Sequence, residues 1–230
     1  MILQLLLGGS GRRFGGSLPK QYQEFNINGK IAPLFIHTLE KINREISFEL
    51  ILMIAQKQYH SFVLDKIRQQ KQIQQIEVIV GEGGNTRHES FTKGISLLHE
   101  KNKIQKNTVV CVHDANRPFL STEFLKRAET TSKKITEKHP CALPIVPVRD
   151  SLVEVKNQTI KAYLNREKTF AVQTPQLIHA YTAYHILQSR SYQKKNYTDE
   201  GSFFLDYGHA VLTFEGDLSN KKVTFPEDIA

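Results

Sequence analysis

The stretch LLLGGSGRRFGGSLPKQY, residues 5–22, sets five glycines, three cations and one proline directly after an apolar run that begins at Ile2. Glycines let backbone N–H groups turn toward an anion. Arg13 and Lys20 bring two cations to the same loop, with Pro19 narrowing the conformations between them. That is the composition of a phosphate cradle. Attack on a phosphorus atom builds negative charge on its oxygens and on a leaving pyrophosphate, and fixed cations with backbone donors stabilise that charge without reorganising. Two better-known loops are excluded: a dinucleotide fingerprint needs a third glycine where Phe14 stands, and a P-loop needs a lysine after Gly16, where Ser17-Leu18 follow. An ordinary strand-to-helix turn would use the same glycines without a ligand, so the loop alone leaves both readings open.

Other chemistry-bearing residues are sparser. The nine histidines form no H-x-H or H-E-x-x-H pair, and His179 and His185 are six apart, a spacing that does not stack on one helix face, so a protein-built metal site is not expected. His113-Asp114 has the residue types of a catalytic dyad, but neighbours on a strand point to opposite faces. His113 is therefore read as structural, whereas Asp114 falls at the carboxyl end of a strand, where open α/β sheets bind ligands. Arg87 is read as a brace that bonds loop carbonyls, and Ser90 as a residue that could cap the following helix. Cys111 and Cys141 lie in apolar contexts and read as buried thiols.

These residues need a frame. Buried-strand patterns run at 2–7, 50–55, 76–80, 109–113 and 142–148, with helical patterns at 33–42, 59–69, 90–99 and 121–135. Strand and helix alternate, which predicts an α/β fold with right-handed crossovers, a mostly parallel sheet and helices on both faces. SLVEVKNQTIKAYL, residues 151–164, reads as a β-hairpin projecting from that sheet, and because a lone ribbon is marginal in water it needs something to pack on, for which a partner subunit is one candidate. Further helices are expected at 180–189 and 200–206, and strands at 210–214 and 222–225. The 230 residues, 40% hydrophobic, suffice for one domain over 1–230 with 151–166 as a β-arm extension. No apolar stretch reaches the length of a membrane span or a signal h-region, so a soluble, cytoplasmic protein is expected. The formal charge of +8 suits an anionic partner, but it is spread in pairs such as Lys133/Lys134 without interleaved aromatics, and nucleic-acid binding is not expected.

Six further segments follow the glycine loop in order: GGNTRHESFTKGI (83–95), VHDANRPFL (112–120), PVRDS (147–151), NREKTFAVQTPQ (165–176), YTDEG (197–201) and NKKVTFPEDI (220–229). Together the chain resembles the 2-C-methyl-D-erythritol 4-phosphate cytidylyltransferases of the non-mevalonate isoprenoid pathway, from Ile2 to its end. The resemblance implies a Rossmann-like nucleotidyltransferase fold and a reaction in which the phosphate of methylerythritol phosphate attacks the α-phosphorus of CTP, with Mg²⁺ held mainly by the CTP phosphates. It assigns Arg13, Lys20, Arg166 and Lys222 to catalysis. Gly8, Gly9, Gly11, Gly84, Asn85, Ser90 and Asp114 fall to the nucleotide, and Arg117, Ser151, Thr174 and Thr198 to the polyol phosphate acceptor. Arg166 and Thr198 would be supplied across a homodimer interface built on the arm. The electrostatics agree with such a set, because two anions can meet only inside a cluster of cations, and a phosphate monoester already ionised at neutral pH needs no general base.

Several positions depart from the family pattern. Leu7 stands where alanine is common, Asn85 where aspartate is usual, and Ser151-Leu152-Val153 where Thr-Ile-Lys is typical. Asn85 can still accept a hydrogen bond through its amide oxygen. The missing lysine and Thr86-Arg87-His88 are shared with relatives that use D-ribitol 5-phosphate, so an enzyme making CDP-ribitol is the alternative. A non-catalytic nucleotide sensor or scaffold of the same fold is the second.

Overall fold

A computed structural model describes residues 1–9, 14 and 18–229. Gly11 and Arg13, both assigned above to the site, lie outside the described residues. The chain begins with β1 (Ile2–Leu6), buried along its length. β2 (Glu24–Ile27) and β3 (Lys30–Pro33) then form a hairpin over Asn28-Gly29, both at positive φ (52° and 81°). The expected alternation follows: α1 (Leu34–Glu45), β4 (Leu50–Ala55), α2 (His60–Arg68), β5 (Glu77–Glu82), α3 (Arg87–Glu100) and β6 (Val109–Asp114). α4 (Thr122–Ser132) opens on Ser121, whose Oγ accepts from the Phe124 N–H at 3.3 Å. Then come β7 (Cys141–Pro147), the arm strands β8 (Val153–Lys156) and β9 (Thr159–Tyr163), β10 (Phe170–Val172), β11 (Gln176–His179), α5 (Ala180–Gln188), α6 (Glu200–Asp206) and β12 (Val211–Glu215).

β1 lies between β4 and β6, parallel to both, and β5 extends the sheet beyond β4. The chain thus walks outward from β1 to β5 and then returns to place β6 on the other side of β1. Keeping every crossover right-handed through that reversal requires α3 to cross on the face opposite α1 and α2. The two cores agree. α1, α2 and α4 pack with Leu3, Leu5, Ile51 and Met53 on one face, and α3, α5 and α6 pack with Ile2, Leu6, Leu52 and Ile54 on the other. Side chains that alternate along a strand buried on both faces serve both cores. The reversal opens a crevice beyond the carboxyl ends of β1 and β6, where the register sets Leu6 beside Asp114.

The fold is the expected α/β arrangement, a mostly parallel sheet with helices on both faces, and three elements differ from the sequence reading. β2–β3 was not expected. β10 and β11 are antiparallel to β7, and β11 is also antiparallel to β6, so the sheet is mixed. Gln173-Thr174-Pro175 separates those two strands, with a cis peptide at Thr174-Pro175. The strand expected at 222–225 does not form. Val223 donates its N–H to Asn116 O at 2.9 Å and accepts from Asn116 Nδ2 at 3.0 Å, but the N–H groups of Thr224 and Phe225 donate to Asp228 Oδ2 at 2.6 and 2.8 Å. A carboxylate has taken the donors that a ladder would need. The arm hairpin forms where expected, turning at Asn157 and Gln158 (φ 51° and 59°). Both cysteines are buried and free, and burial pushes the Cys111 thiol up to about 12.

Candidate active site

A cavity of about 350 Å³ occupies the crevice. Gly8 and Gly9 enter it as the chain leaves β1, and Gly9 sits at φ 105°, a conformation that glycine adopts without steric cost. The short 3₁₀ turn Lys20–Tyr22 folds back against them. Gln21 Nε2 donates to Leu7 O at 2.7 Å and to Gly9 O at 3.0 Å, and the Tyr22 hydroxyl donates to Leu7 O at 3.1 Å. These two buried side chains tie the glycine segment to the turn, and the turn sets Lys20 on the cavity wall. Leu7 is itself fully buried and fills the core beneath, which accounts for the larger residue at that position.

The loop between β5 and α3 forms the facing wall. Thr86 caps α3, its Oγ1 accepting from the Glu89 N–H at 3.1 Å, while Glu89 Oε2 reaches back to accept from the Asn85 N–H at 2.9 Å. This is a reciprocal capping arrangement. Ser90 is therefore not the cap. Its Oγ donates to Thr86 O and accepts from the Gly84 N–H, both at 3.0 Å, which fixes the loop from inside the first turn. A Cβ on Gly84 would lie on the Glu89 side chain, so the close return of Glu89 requires glycine there. Asn85 remains exposed on the lip.

Charge gathers between these walls. Asp114 Oδ2 accepts from Lys222 Nζ at 2.9 Å and stands 3.6 Å from Arg117 Nε; Asp114 Oδ1 accepts from Arg87 Nε at 3.1 Å. Burial pushes the Asp114 carboxyl up, but Arg87, Lys222 and Arg117 together outweigh it and hold the group well below the ordinary carboxylate range. Arg87 does brace the site, though through carboxylates rather than carbonyls: its Nη1 donates to Glu200 Oε1 at 2.7 Å. Burial works against its charge, and the two carboxylates more than offset that, raising its pKa. His113 is fully buried between Thr174 Oγ1 (2.9 Å from Nδ1) and Arg117 O (3.3 Å from Nε2), and burial draws it down to about 4. It faces away from the cavity chemistry, as a neighbour of Asp114 on a strand must.

The structure brings Gly8, Gly9, Lys20, Gly84, Asn85, Ser90, Asp114 and Lys222 to one cavity. Arg117 sits behind it, donating to Asn220 O at 2.9 Å. Thr174 is buried, its hydroxyl taken by His113 and by the Asp114 N–H at 3.3 Å, so it shapes the strand end rather than presenting a free donor. Arg166, Ser151 and Thr198 are exposed and do not line the cavity. Arg166 Nη1 donates to Arg149 O at 3.4 Å, and Thr198 Oγ1 to Asp199 Oδ2 at 3.3 Å.

Three buried side chains escaped the sequence reading. Gln173 Nε2 donates to Asp217 O at 2.7 Å while its Oε1 accepts from the Asp217 N–H at 3.0 Å, which anchors the segment that carries Lys222. Gln176 Oε1 accepts from the Glu200 N–H at 2.9 Å, and Glu200 is fully buried. The available signal was two glutamines within VQTPQ and a glutamate opening a helix, in segments where an apolar core would not place them.

A family model described as IspD, 2-C-methyl-D-erythritol 4-phosphate cytidylyltransferase, matches residues 1–230. The 2-C-methyl-D-erythritol 4-phosphate cytidylyltransferase of Carboxydothermus hydrogenoformans is 31% identical over 226 residues, covering 96% of this chain and 89% of that protein. The protein of the same name in Syntrophus aciditrophicus is 32% identical over 227 residues, covering 96% and 89%. The crystal structure of a 4-diphosphocytidyl-2C-methyl-D-erythritol synthase shares the fold with a TM-score of 0.75 at 26% identity, covering 99% of this chain and 93% of that one.

Proposed function

This chain belongs to the 2-C-methyl-D-erythritol 4-phosphate cytidylyltransferase family, and from that premise we propose how its residues divide the work. The reaction is cytidylyl transfer in the non-mevalonate isoprenoid pathway. An oxygen of the methylerythritol phosphate forms a bond to the α-phosphorus of CTP, and the bond from that phosphorus to the bridging oxygen breaks, its electron pair leaving on pyrophosphate. The observation that carries the assignment of roles is the placing of Lys20 and Lys222 on one cavity, with Asp114 holding the second by its Nζ.

Lys20, with Arg13, stabilises the charge that grows on the triphosphate, while Lys222 steadies the incoming acceptor phosphate against the repulsion between two anions. Gly8, Gly9, Gly84, Asn85 and Ser90 bound the base, their small side chains and backbone polar groups leaving room for a flat ring between the two loops. Arg166, Thr198 and Ser151 take the acceptor from exposed segments, Arg166 and Thr198 by crossing to a second copy. An arm whose Val155, Ile160, Tyr163 and Leu164 are all exposed supports a homodimer built on it.

Among the described residues no group of three or more His, Cys, Asp or Glu side chains converges, and Asp114 is the one carboxylate of the described cavity lining. That donor set fits Mg²⁺ carried mainly on substrate phosphates, since both oxygens of Asp114 are already taken by Arg87 and Lys222. The ion supplies neutralisation of the phosphate oxygens when bound. No helix among the described residues is long and apolar enough to cross a membrane, and a cytoplasmic location is proposed with the rest.

Pyrophosphate release tests the reading. With CTP and Mg²⁺, methylerythritol phosphate is expected to be turned over and D-ribitol 5-phosphate not. The reverse preference would replace the acceptor, and no release with either would leave a sensor or scaffold.

A further inference from the structure

We propose that Glu200 is a positioning residue for the transfer: by holding one arm of Arg87, it keeps the guanidinium from closing on both oxygens of Asp114 and so leaves Asp114 Oδ2 for Lys222. The proposal rests on the role given above to Lys222.

Glu200 is the first residue of α6 and is fully buried, which carboxylates rarely are without a partner. Its place is fixed from two sides. Gln176 accepts its N–H at 2.9 Å, and Asp199 Oδ1 caps the helix by accepting from the Ser202 N–H at 2.8 Å. Its Oε1 accepts from Arg87 Nη1 at 2.7 Å, while Oε2 has no partner. Arg87 comes from the first residue of α3, donates Nε to Asp114 Oδ1 at 3.1 Å, and has its own Nη2 buried without a partner. A buried ion pair contributes little to stability compared with apolar residues of the same volume, so fold stability alone is a weak reason for this one.

The geometry supplies a better reason. An arginine fork ordinarily takes one carboxylate with two parallel N–H groups, yet here it spends one on each of two carboxylates. Released from Glu200, the guanidinium is free to take Asp114 with two. Charge acts in the same direction. Arg87, Arg117 and Lys222 face Asp114, and Arg87 also pairs with Glu200, so neutralising Glu200 leaves three cations around a single buried carboxylate. The one that yields is Lys222, whose side chain is 43% exposed against 22% for Arg87 and 12% for Arg117. Lys222 would then swing out of the position in which it meets the acceptor phosphate.

Glu200→Gln keeps the shape and removes the charge. It is expected to lower kcat by about tenfold or more, with KM for CTP changed by less than about threefold. Glu200→Gln combined with Arg87→Gln removes the guanidinium too, and is expected to recover kcat to within about threefold of the original protein. A residue needed only for folding would give a double variant worse than either single one, and that result overturns the proposal. Unchanged kcat in Glu200→Gln, beside a loss in Lys222→Met, also overturns it while sparing the role of Lys222. Full kcat in Lys222→Met removes that role and the proposal with it. Should Glu200→Gln alone not fold, the double variant against Arg87→Gln makes the same comparison: equal kcat supports the proposal, and a further loss in the double overturns it.

Discussion

Lys222 Nζ stands 2.9 Å from Asp114 Oδ2, although 108 residues separate the two in sequence. The lysine reaches that point because Val223 exchanges two hydrogen bonds with Asn116, two residues beyond Asp114, so the same short segment carries the carboxylate and anchors the cation. In the role proposed for it, a lysine balanced in this way would be shared with an arriving phosphate. Lys222→Met removes the charge while keeping most of the stem, and is expected to lower kcat by roughly 10²–10³-fold while the fold survives. Steady-state kinetics with both substrates varied will check it; a loss confined to KM for CTP would place Lys222 on the nucleotide side.

Lys20 is held differently, by its neighbours. Gln21 and Tyr22 bond the carbonyls of Leu7 and Gly9, so the turn that carries Lys20 moves with the glycine segment. Lys20→Ala is expected to reduce turnover by roughly 10²–10³-fold, since it removes charge that matters most when pyrophosphate departs. Gln21→Ala leaves Lys20 in place but frees the turn, and should cost less, about tenfold. Equal losses would mean that position, not charge, dominates at Lys20, and unchanged turnover in Lys20→Ala would remove it from the mechanism.

These two lysines also mark how far the sequence could be read. The buried strands of the parallel sheet and the helices between them were legible because continuous apolar runs and 3.6-residue stripes leave a strong signal in the chain. The hairpin at Asn28-Gly29 was missed although its turn dipeptide is a strong one, since its strands are only four residues each and half exposed. β10 and β11 were hidden by Pro175, which reads as a break in a run and stands between the two strands. The carboxylate that prevents a strand at 222–225 lies at Asp228, in the following turn, and no local pattern announces such a competitor. Among site residues, Lys20 and Asp114 were read from local chemistry, whereas Gly84, Asn85 and Lys222 came only through the family resemblance. Glu200 and Gln173 act through tertiary contacts, which a linear pattern does not display.

The proposed homodimer makes a sharp prediction about Arg166. In one chain its guanidinium is exposed beside Arg149, outside the cavity that holds Lys20. Arg166→Ala should raise KM for the acceptor and leave CTP affinity within about threefold. If the residue serves a partner's cavity, mixing Arg166→Ala with Lys20→Ala protein will give, at acceptor concentrations below the raised KM, more activity than either variant shows alone, because one of the two cavities in a mixed dimer is then intact. Absence of recovery in dimers shown to exchange would return Arg166 to its own chain.

Acid stability should depend on His88. Burial, with the charge of Arg87 adding to it, draws this imidazole down to about 4, and its Nε2 has no partner inside a cluster of Phe91, Tyr197 and Phe203 rings. In the unfolded chain it takes a proton near 6.5, so its contribution is complete above that pH and is lost as pH falls toward 4. His113 adds the same dependence. His88→Phe keeps an aromatic ring in the cluster and removes the titration, so urea unfolding should give a shallower decline between those pH values than the original protein shows. An identical slope would assign the acid lability elsewhere.

Gly94 tests the packing that aims the loop between β5 and α3. α3 crosses β1 at this residue, and the fully buried Gln4 side chain occupies the space beside it, its Nε2 donating to Ser90 O at 3.3 Å and Phe91 O at 3.1 Å. A Cβ at position 94 would fall on the Gln4 amide, which has no exit to solvent. Helix propensity alone favours Gly94→Ala by about 1 kcal/mol, whereas overpacking a core costs about 1–3 kcal/mol, so the net effect should be destabilising. Because α3 begins at Arg87 and its first turn holds Gly84 through Ser90, the displaced helix should also raise KM for CTP. Gln4→Ala added to Gly94→Ala vacates the contested space and should recover both stability and KM. If Gly94→Ala instead proves neutral in urea unfolding, the close approach of β1 to α3 is not what fixes the loop, and the cavity wall must take its shape from the Thr86–Glu89 cap alone.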